Sequence, residues 1–136
     1  MMWVVEIIGV AAMLQLLYLH AKIDADLLNQ KGCYIYNHSQ RFLLRLISVL
    51  TISLLLWYMS GDNDPLKLLI RFAAYSILFG GMFDMCLNYF RGLDEHHLGT
   101  TAKWDIFWTK HIGAYKILTK YSLMISILLL FLLHIM

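Results

Sequence analysis

The sequence predicts an all-α fold: a four-helix transmembrane bundle with an amphipathic interfacial helix before helix 4. Of its 136 residues, 60% are hydrophobic and only 15% are charged, whereas a soluble domain is about half apolar and about a quarter charged. A soluble chain of this length could not bury so much apolar surface in one core. The apolar residues also collect in four stretches, close in length to the ~20 residues of a spanning helix. We therefore expect one integral membrane domain over residues 1–136, with the lipid bilayer as its partner.

The first hydrophobic stretch, residues 2–20, is apolar apart from Glu6 and Gln15. It lacks the basic start and the small-residue cleavage site of a signal peptide, so we interpret it as a retained helix. The polar residues that follow predict a helical extension beyond the membrane, to about Leu28. Gly32 is expected to stop it, because glycine takes the left-handed conformation after a helix without penalty.

Capping residues predict where the second helix begins and ends. It spans about residues 40–59 and starts near Asn37, with Gln40 three positions on as in a capping box. Trp57 and Tyr58 at its far end suit the membrane interface as anchors.

A proline and a pair of glycines mark the third helix, residues 65–90. Asp64 is the expected N-cap and Pro65 the first helical residue, where its missing N–H costs nothing. Gly92 is expected to end the helix. The pair Gly80-Gly81 lies in its middle, where small residues allow close contact between membrane helices.

An aromatic face precedes the fourth helix, which spans about residues 115–136. This aromatic face lies on residues 102–112, opposite a set of charged residues, and predicts a helix in the plane of the membrane interface. Thr100 or Thr101 is the expected N-cap of that helix. We expect its tryptophans to be lipid anchors. The aromatic positions, extended by one turn, are Trp104, Phe107, Trp108, His111 and Tyr115, and the opposite charges are Lys103, Asp105 and Lys110.

The distribution of lysine and arginine predicts orientation. Nine of them lie in or beside loops 1 and 3, against Lys67 and Arg71 on the other side. By the positive-inside rule, loops 1 and 3 face the cytoplasm and both termini lie outside, with the bacterial inner membrane as the expected host. No basic tract predicts a nucleic-acid partner, and a homo-oligomer is left open.

Ionisable residues at membrane depth are costly and normally face the bundle interior. One stripe of helix 2 and one of helix 3 carry such residues at matching depth, given a rise of 1.5 Å per residue. We predict that Arg45 or Arg41 pairs with Asp84, with Asn88 filling the remaining hydrogen bonds. The whole predicted cluster is His38, Arg41, Arg45, Asp84, Asn88 and Arg91.

Glu6 and Arg71 form a second candidate pair on the outer side, although either could instead extend towards the interface. Two interpretations of the charged sets stay open. In the structural interpretation they fix which helices are neighbours. In the functional interpretation they line a polar cavity for catalysis or ion passage.

The loop after helix 3 contains metal-capable side chains, Asp94, His96 and His97. Adjacent histidines on a short loop cannot both point at one ion without help, and no spaced metal-binding pattern accompanies them. Cys33 and Cys86 are not in a Cys-x-x-Cys motif. We therefore predict no metal, no cofactor and no catalytic residue, since no nucleophile motif or phosphate-binding glycine loop is present.

A motif runs from helix 3 into the interfacial helix: Asp84, Asn88, Arg91-Gly92, then Leu98-Gly99-Thr100-Thr101 and Asp105. It resembles a motif of short uncharacterised four-helix membrane proteins encoded by bacteriophages of Bacteroidota bacteria. Those proteins also tend to carry His and Arg at the start of the preceding helix, here His38, Arg41 and Arg45. The resemblance covers residues 38–105, and His96 and His97 replace an aromatic residue of the motif. It implies a phage or prophage origin and the same four-helix plan.

Three classes of function remain. The first is a structural or membrane-modifying protein, of holin-like or exclusion type, favoured by small size, the phage-like motif and the lack of a catalytic signature. The second is a small channel or transporter component that uses the cluster of Arg45, Asp84 and Asn88. The third is a membrane enzyme acting on lipid-linked substrates, with a site drawn from Asp84, Asn88, Arg91, Asp94, His96, His97 and Asp105.

Overall fold

The chain folds into four long helices and one short helix. The computed structural model describes residues 2–31, 38–95, 97 and 103–136, without the side chains of residues 2, 31, 38 and 103–105. The helices are α1 (Met2–Lys31), α2 (His38–Met59), α3 (Pro65–Arg91), α4 (Lys103–Lys110) and α5 (Ile112–Ile135). No strand occurs within these ranges. Because α1, α2, α3 and α5 are each long and apolar enough to cross a membrane, the predicted all-α four-helix bundle is confirmed.

Helix α3 lies at the centre of the bundle. It packs against α1, α2 and α5, and the short helix α4 packs against α5. Helix α1 runs parallel to α3, and α2 and α5 run antiparallel to it. We call the end that carries the turn at residues 60–64 the turn end, and the end that carries residues 92–97 the loop end.

Both predicted caps of α3 are formed. The Asp64 carboxylate accepts the backbone N–H of Leu66 at 2.9 Å, and Pro65 follows at the first helical position. Gly92 takes the left-handed conformation with φ of 66°, and its N–H donates to the carbonyls of Asn88 and Tyr89. The other predicted caps and stops, at Gly32, Asn37, Thr100 and Thr101, lie outside the described residues.

Two helices are longer than predicted. Helix α1 continues to Lys31, and α5 begins at Ile112 instead of about residue 115. A single residue, His111, separates α4 from α5 with φ of −120° and ψ of 37°. Its Nδ1 donates to the Phe107 carbonyl at 2.9 Å and so satisfies one of the last carbonyls of α4.

The apolar core lies mainly between α1 and α3. Met13, Leu17, Tyr75 and Leu78 are each no more than 2% exposed, and they belong to one contiguous cluster. Outside this core, large apolar side chains face outward on all four long helices. In a chain this apolar, lipid covers these outward faces.

The contact between α3 and α5 depends on small residues. A methyl group on Gly81 would overlap the Cβ and Oγ atoms of Ser122, which is fully buried together with Ser126. A methyl group on Gly80 would meet no atom within 4 Å. Of the predicted glycine pair, therefore, only Gly81 brings the helices together, and Gly80 faces outward.

The Gly81→Ala substitution tests this contact, with Gly80→Ala as its matched control. We expect Gly81→Ala to lower the free energy of unfolding by about 1–3 kcal/mol, because the new methyl group meets the base of a side chain that cannot rotate away. Gly80→Ala should be neutral or stabilising, since alanine favours helix by about 1 kcal/mol. Unfolding by a denaturing detergent in mixed micelles measures both. Equal unfolding midpoints for the two variants would contradict the assignment.

Candidate functional site: two buried charge networks

At the turn end, Glu6 of α1 and Arg71 of α3 form the ion pair expected from the sequence. Arg71 Nε donates to Glu6 Oε1 at 3.0 Å, and Arg71 Nη2 donates to the same oxygen at 2.5 Å. The Tyr75 hydroxyl donates to the other oxygen, Oε2, at 3.0 Å. Glu6 is 3% exposed and Arg71 2%, so both side chains stay in the bundle instead of extending to the interface.

Gly9 makes room for this arrangement. A methyl group there would overlap the Tyr75 hydroxyl and a methyl group of Leu56. The hydroxyl that meets Gly9 is the one that donates to Glu6. Gly9, one turn beyond Glu6, therefore lets a large aromatic side chain reach across to α1.

The network continues into the turn between α2 and α3. Arg71 Nη1 donates to Ser60 Oγ at 3.4 Å, and Asp62 accepts from Ser60 Oγ and from Lys67 Nζ, each at 3.1 Å. Partial burial raises the pKa of Asp62, but the hydrogen bonds from Lys67 and Ser60 outweigh it and leave the pKa below its ordinary value. Within this network, two acidic side chains, Glu6 and Asp62, balance two basic ones, Arg71 and Lys67.

At the loop end, Asp24 of α1 binds two arginines of α2. Arg41 Nε donates to Asp24 Oδ1 at 2.5 Å, and Arg45 Nη2 donates to Oδ2. Asp24 is fully buried. The arginines stand one turn apart on the same helix face, so that each reaches one carboxylate oxygen. The Arg45 guanidinium also lies 3.8 Å from the centre of the Phe83 ring of α3, a cation–π contact that links the network to the central helix.

This arrangement corrects the predicted pairing. Arg45 or Arg41 was expected to pair with Asp84, and the polar part of helix 1 was expected to lie beyond the membrane. In the structure, α1 continues alongside α2, and the ion pairs of both arginines are made with Asp24. Asp84 accepts a hydrogen bond from the Tyr115 hydroxyl of α5 at 3.3 Å.

The pattern that could have identified Asp24 is present in the sequence. Met13, Leu17, Ala21 and Asp24 recur at three- and four-residue spacing, and all four are buried. A helix face that is apolar for two turns and then reaches an acid predicts that the acid is buried too. His20, beside this face, forms a hydrogen bond with Ser48 of α2 through Nε2 at 3.3 Å.

Asn88 has a different role from the one predicted. Its Nδ2 donates to the backbone carbonyls of Glu95, at 3.2 Å, and His97, at 2.8 Å. The side chain is buried, whereas Asp94, Glu95 and His97 are exposed. Asn88 therefore anchors the first part of the polar loop on the end of α3, where Gly92 reverses the chain.

Several predicted site residues are not tested. His96, Gly99, Thr100 and Thr101 lie outside the described residues, as do the side chains of His38, Trp104 and Asp105. Whether the loop motif converges on one point therefore stays a prediction. Arg91 is half-buried at the end of α3.

The described interface anchors differ in their surroundings. Trp57 donates from its indole nitrogen to the Asp64 carbonyl at 3.1 Å, so it also closes the turn between α2 and α3. Tyr58 is 81% exposed. The Trp108 ring lies 5.6 Å from the Tyr115 ring, and this contact holds α4 against α5.

A cluster of buried apolar side chains lies between the two networks. It includes Met13 and Leu17 of α1 with Leu78 and Phe79 of α3. Within the described part of one copy, no chain of polar side chains connects Glu6 to Asp24. This packing makes the networks cross-links between helices and gives no support for a polar path through a single copy.

Comparison of the chain with protein-family models, with curated proteins and with solved structures finds no match. The arrangement of the described residues is therefore the basis for any functional assignment, together with the motif resemblance.

The substitution Asp24→Asn tests the loop-end network, with Asp26→Asn as its control. It keeps the shape of Asp24 but removes a fully buried charge from beside two partly buried guanidinium groups, and breaking a buried ion pair costs about 3–5 kcal/mol. Asp26, two residues on, is exposed, and its substitution should change stability by no more than about 0.5 kcal/mol. Detergent-induced unfolding of both variants provides the measurement. A loss for Asp24→Asn no larger than that for Asp26→Asn would show that Asp24 does not hold the helices together.

Proposed function

We propose that this integral membrane protein is phage-encoded and has a structural or membrane-modifying role of holin-like or exclusion type. The observation that carries the proposal is the way the charges inside the membrane are used. Glu6 with Arg71, and Asp24 with Arg41 and Arg45, join neighbouring helices of the same chain. Charges that are used to join helices support a structural role for the bundle.

The outward surface supports the same role. Each long helix presents large apolar side chains to its surroundings, among them Ile7, Leu43, Leu69 and Ile127. With an apolar outer surface, the bundle can affect the membrane by inserting into the bilayer or by assembling with other copies within it. On this proposal, any permeability change comes from several copies together, because a cluster of buried apolar side chains separates the two charge networks within one copy.

The motif supports the phage origin. Its described residues hold the loop end together: Asn88 anchors the loop, Gly92 reverses the chain and Asp84 accepts a hydrogen bond from α5. These roles are structural, as expected if the motif maintains the four-helix arrangement.

One observation favours the enzyme class as a second candidate. Because Asn88 fixes the carbonyls of Glu95 and His97, the described residues of the segment 94–97, Asp94, Glu95 and His97, are exposed and held at the loop end of α3. On the predicted orientation this segment lies at the cytoplasmic surface, where head groups of lipid-linked substrates are found.

Controlled expression in a bacterium tests the proposal. We expect the native chain and Gly80→Ala to stop growth and collapse the membrane potential, followed with a potential-sensitive dye. Gly81→Ala, at the same level in the membrane fraction, should have a much weaker effect because its α3–α5 contact is disturbed.

An unchanged potential and normal growth with the native chain would contradict the membrane-modifying role, as would equal depolarisation by Gly81→Ala. If the potential stays intact while lipid composition changes with the native chain but not with Asn88→Leu, the enzyme class replaces the proposal.

A further inference from the structure

Gln15 is a polar residue near the middle of α1. It lies nine residues after Glu6 and nine residues before Asp24, which is about 13–14 Å along the helix axis from each. Those two acids belong to the charge networks at opposite ends of the bundle. Gln15 is therefore close to the centre of the hydrocarbon layer, too deep for its short side chain to reach either interface.

Gln15 also points away from the bundle. The buried face of α1 contains Met13 and Leu17, and Gln15, two residues from each, falls on the opposite side and is exposed. Among the described residues, none forms a hydrogen bond with its amide. An amide facing hydrocarbon without a partner is costly, because lipid tails offer neither donors nor acceptors.

We propose that this face of α1 binds a second copy of the same chain, with the two Gln15 amides hydrogen-bonded to each other. An amide has both a donor and an acceptor, so two copies related by a twofold axis exchange two hydrogen bonds. Another protein would need a polar group at the same depth, whereas a second copy supplies one by symmetry. Polar side chains join membrane helices in this way.

The rest of the face fits a helix pair. Its exposed positions recur at three- and four-residue spacing, the pattern of two helices that pack along their length. Ala11, one turn before Gln15, is small enough to let two backbones approach. The positions are Val4, Ile8, Ala11, Gln15, Tyr18 and Lys22. Asp26, also exposed, lies one turn beyond Lys22 and can balance the lysine of the second copy.

Thr51 provides a matched control on α2. It too is polar, lipid-facing and near the middle of its helix, but its hydroxyl donates to the Ile47 carbonyl of the same helix at 2.8 Å. Because that hydrogen bond satisfies the hydroxyl, Thr51 needs no second chain.

The test compares Gln15→Leu with Thr51→Val as full-length purified chains in liposomes. Association is measured by energy transfer between donor- and acceptor-labelled copies as the protein-to-lipid ratio is varied. We expect the native chain to associate, Gln15→Leu to associate about tenfold more weakly, and Thr51→Val to match the native chain. Purified protein is used, so the outcome is independent of any effect on membrane potential.

Cross-linking locates the interface. With Cys33 and Cys86 replaced by serine, Ala11→Cys should form disulfide-linked dimers in membranes, and Leu55→Cys on the exposed face of α2 should not. The proposal is overturned by a native chain that stays monomeric, by unchanged association of Gln15→Leu, by equal weakening in Thr51→Val, or by cross-linking at Leu55→Cys but not at Ala11→Cys.

Discussion

Charged groups inside hydrocarbon must find partners within the protein, and this constraint determines which helices are neighbours. Unpaired charges at that depth are costly, and there is no water to satisfy them. Helix α1 contributes one buried acid near each end, Glu6 and Asp24. Each is matched by arginine from a different helix, α3 at the turn end and α2 at the loop end. Ion pairs at both ends therefore fix the register and the direction of α1.

Close packing between helices also determines which helices are neighbours. Gly81 and Ser122 bring α5 against α3 on the side where the described residues form no ion pair between the two helices. Gly9 lets Tyr75 reach Glu6, so the turn-end network also depends on a glycine at a close contact between helices. Lipid is as apolar as leucine, so small residues and polar contacts, more than apolar burial, determine how membrane helices associate. Both of these features are found at the contacts of α3 with its neighbours.

Much of the fold could be predicted from the sequence, because hydrophobic length, Asp64-Pro65 and Gly92 each have a direct local meaning. The similar depths of Glu6 and Arg71 in their helices also predicted the ion pair between them. The predicted partner of Arg41 and Arg45 was wrong, because Asp24 was expected to lie in an extension of helix 1 beyond the membrane, whereas α1 continues alongside α2 to Lys31 and brings Asp24 to both arginines. Likewise, sequence could not tell Gly81 from Gly80, because adjacent residues of a helix differ by about 100° in direction.

A double-mutant cycle on Glu6 and Arg71 tests most directly whether paired charges hold the bundle together. The free energies of unfolding of Glu6→Gln, Arg71→Met and the double variant are compared with that of the native chain. If the pair acts as one unit, the double variant should lose less stability than the sum of the single losses, by roughly 1–3 kcal/mol. Losses that add, within about 0.5 kcal/mol, would show that the two side chains act independently and would contradict this account of the bundle.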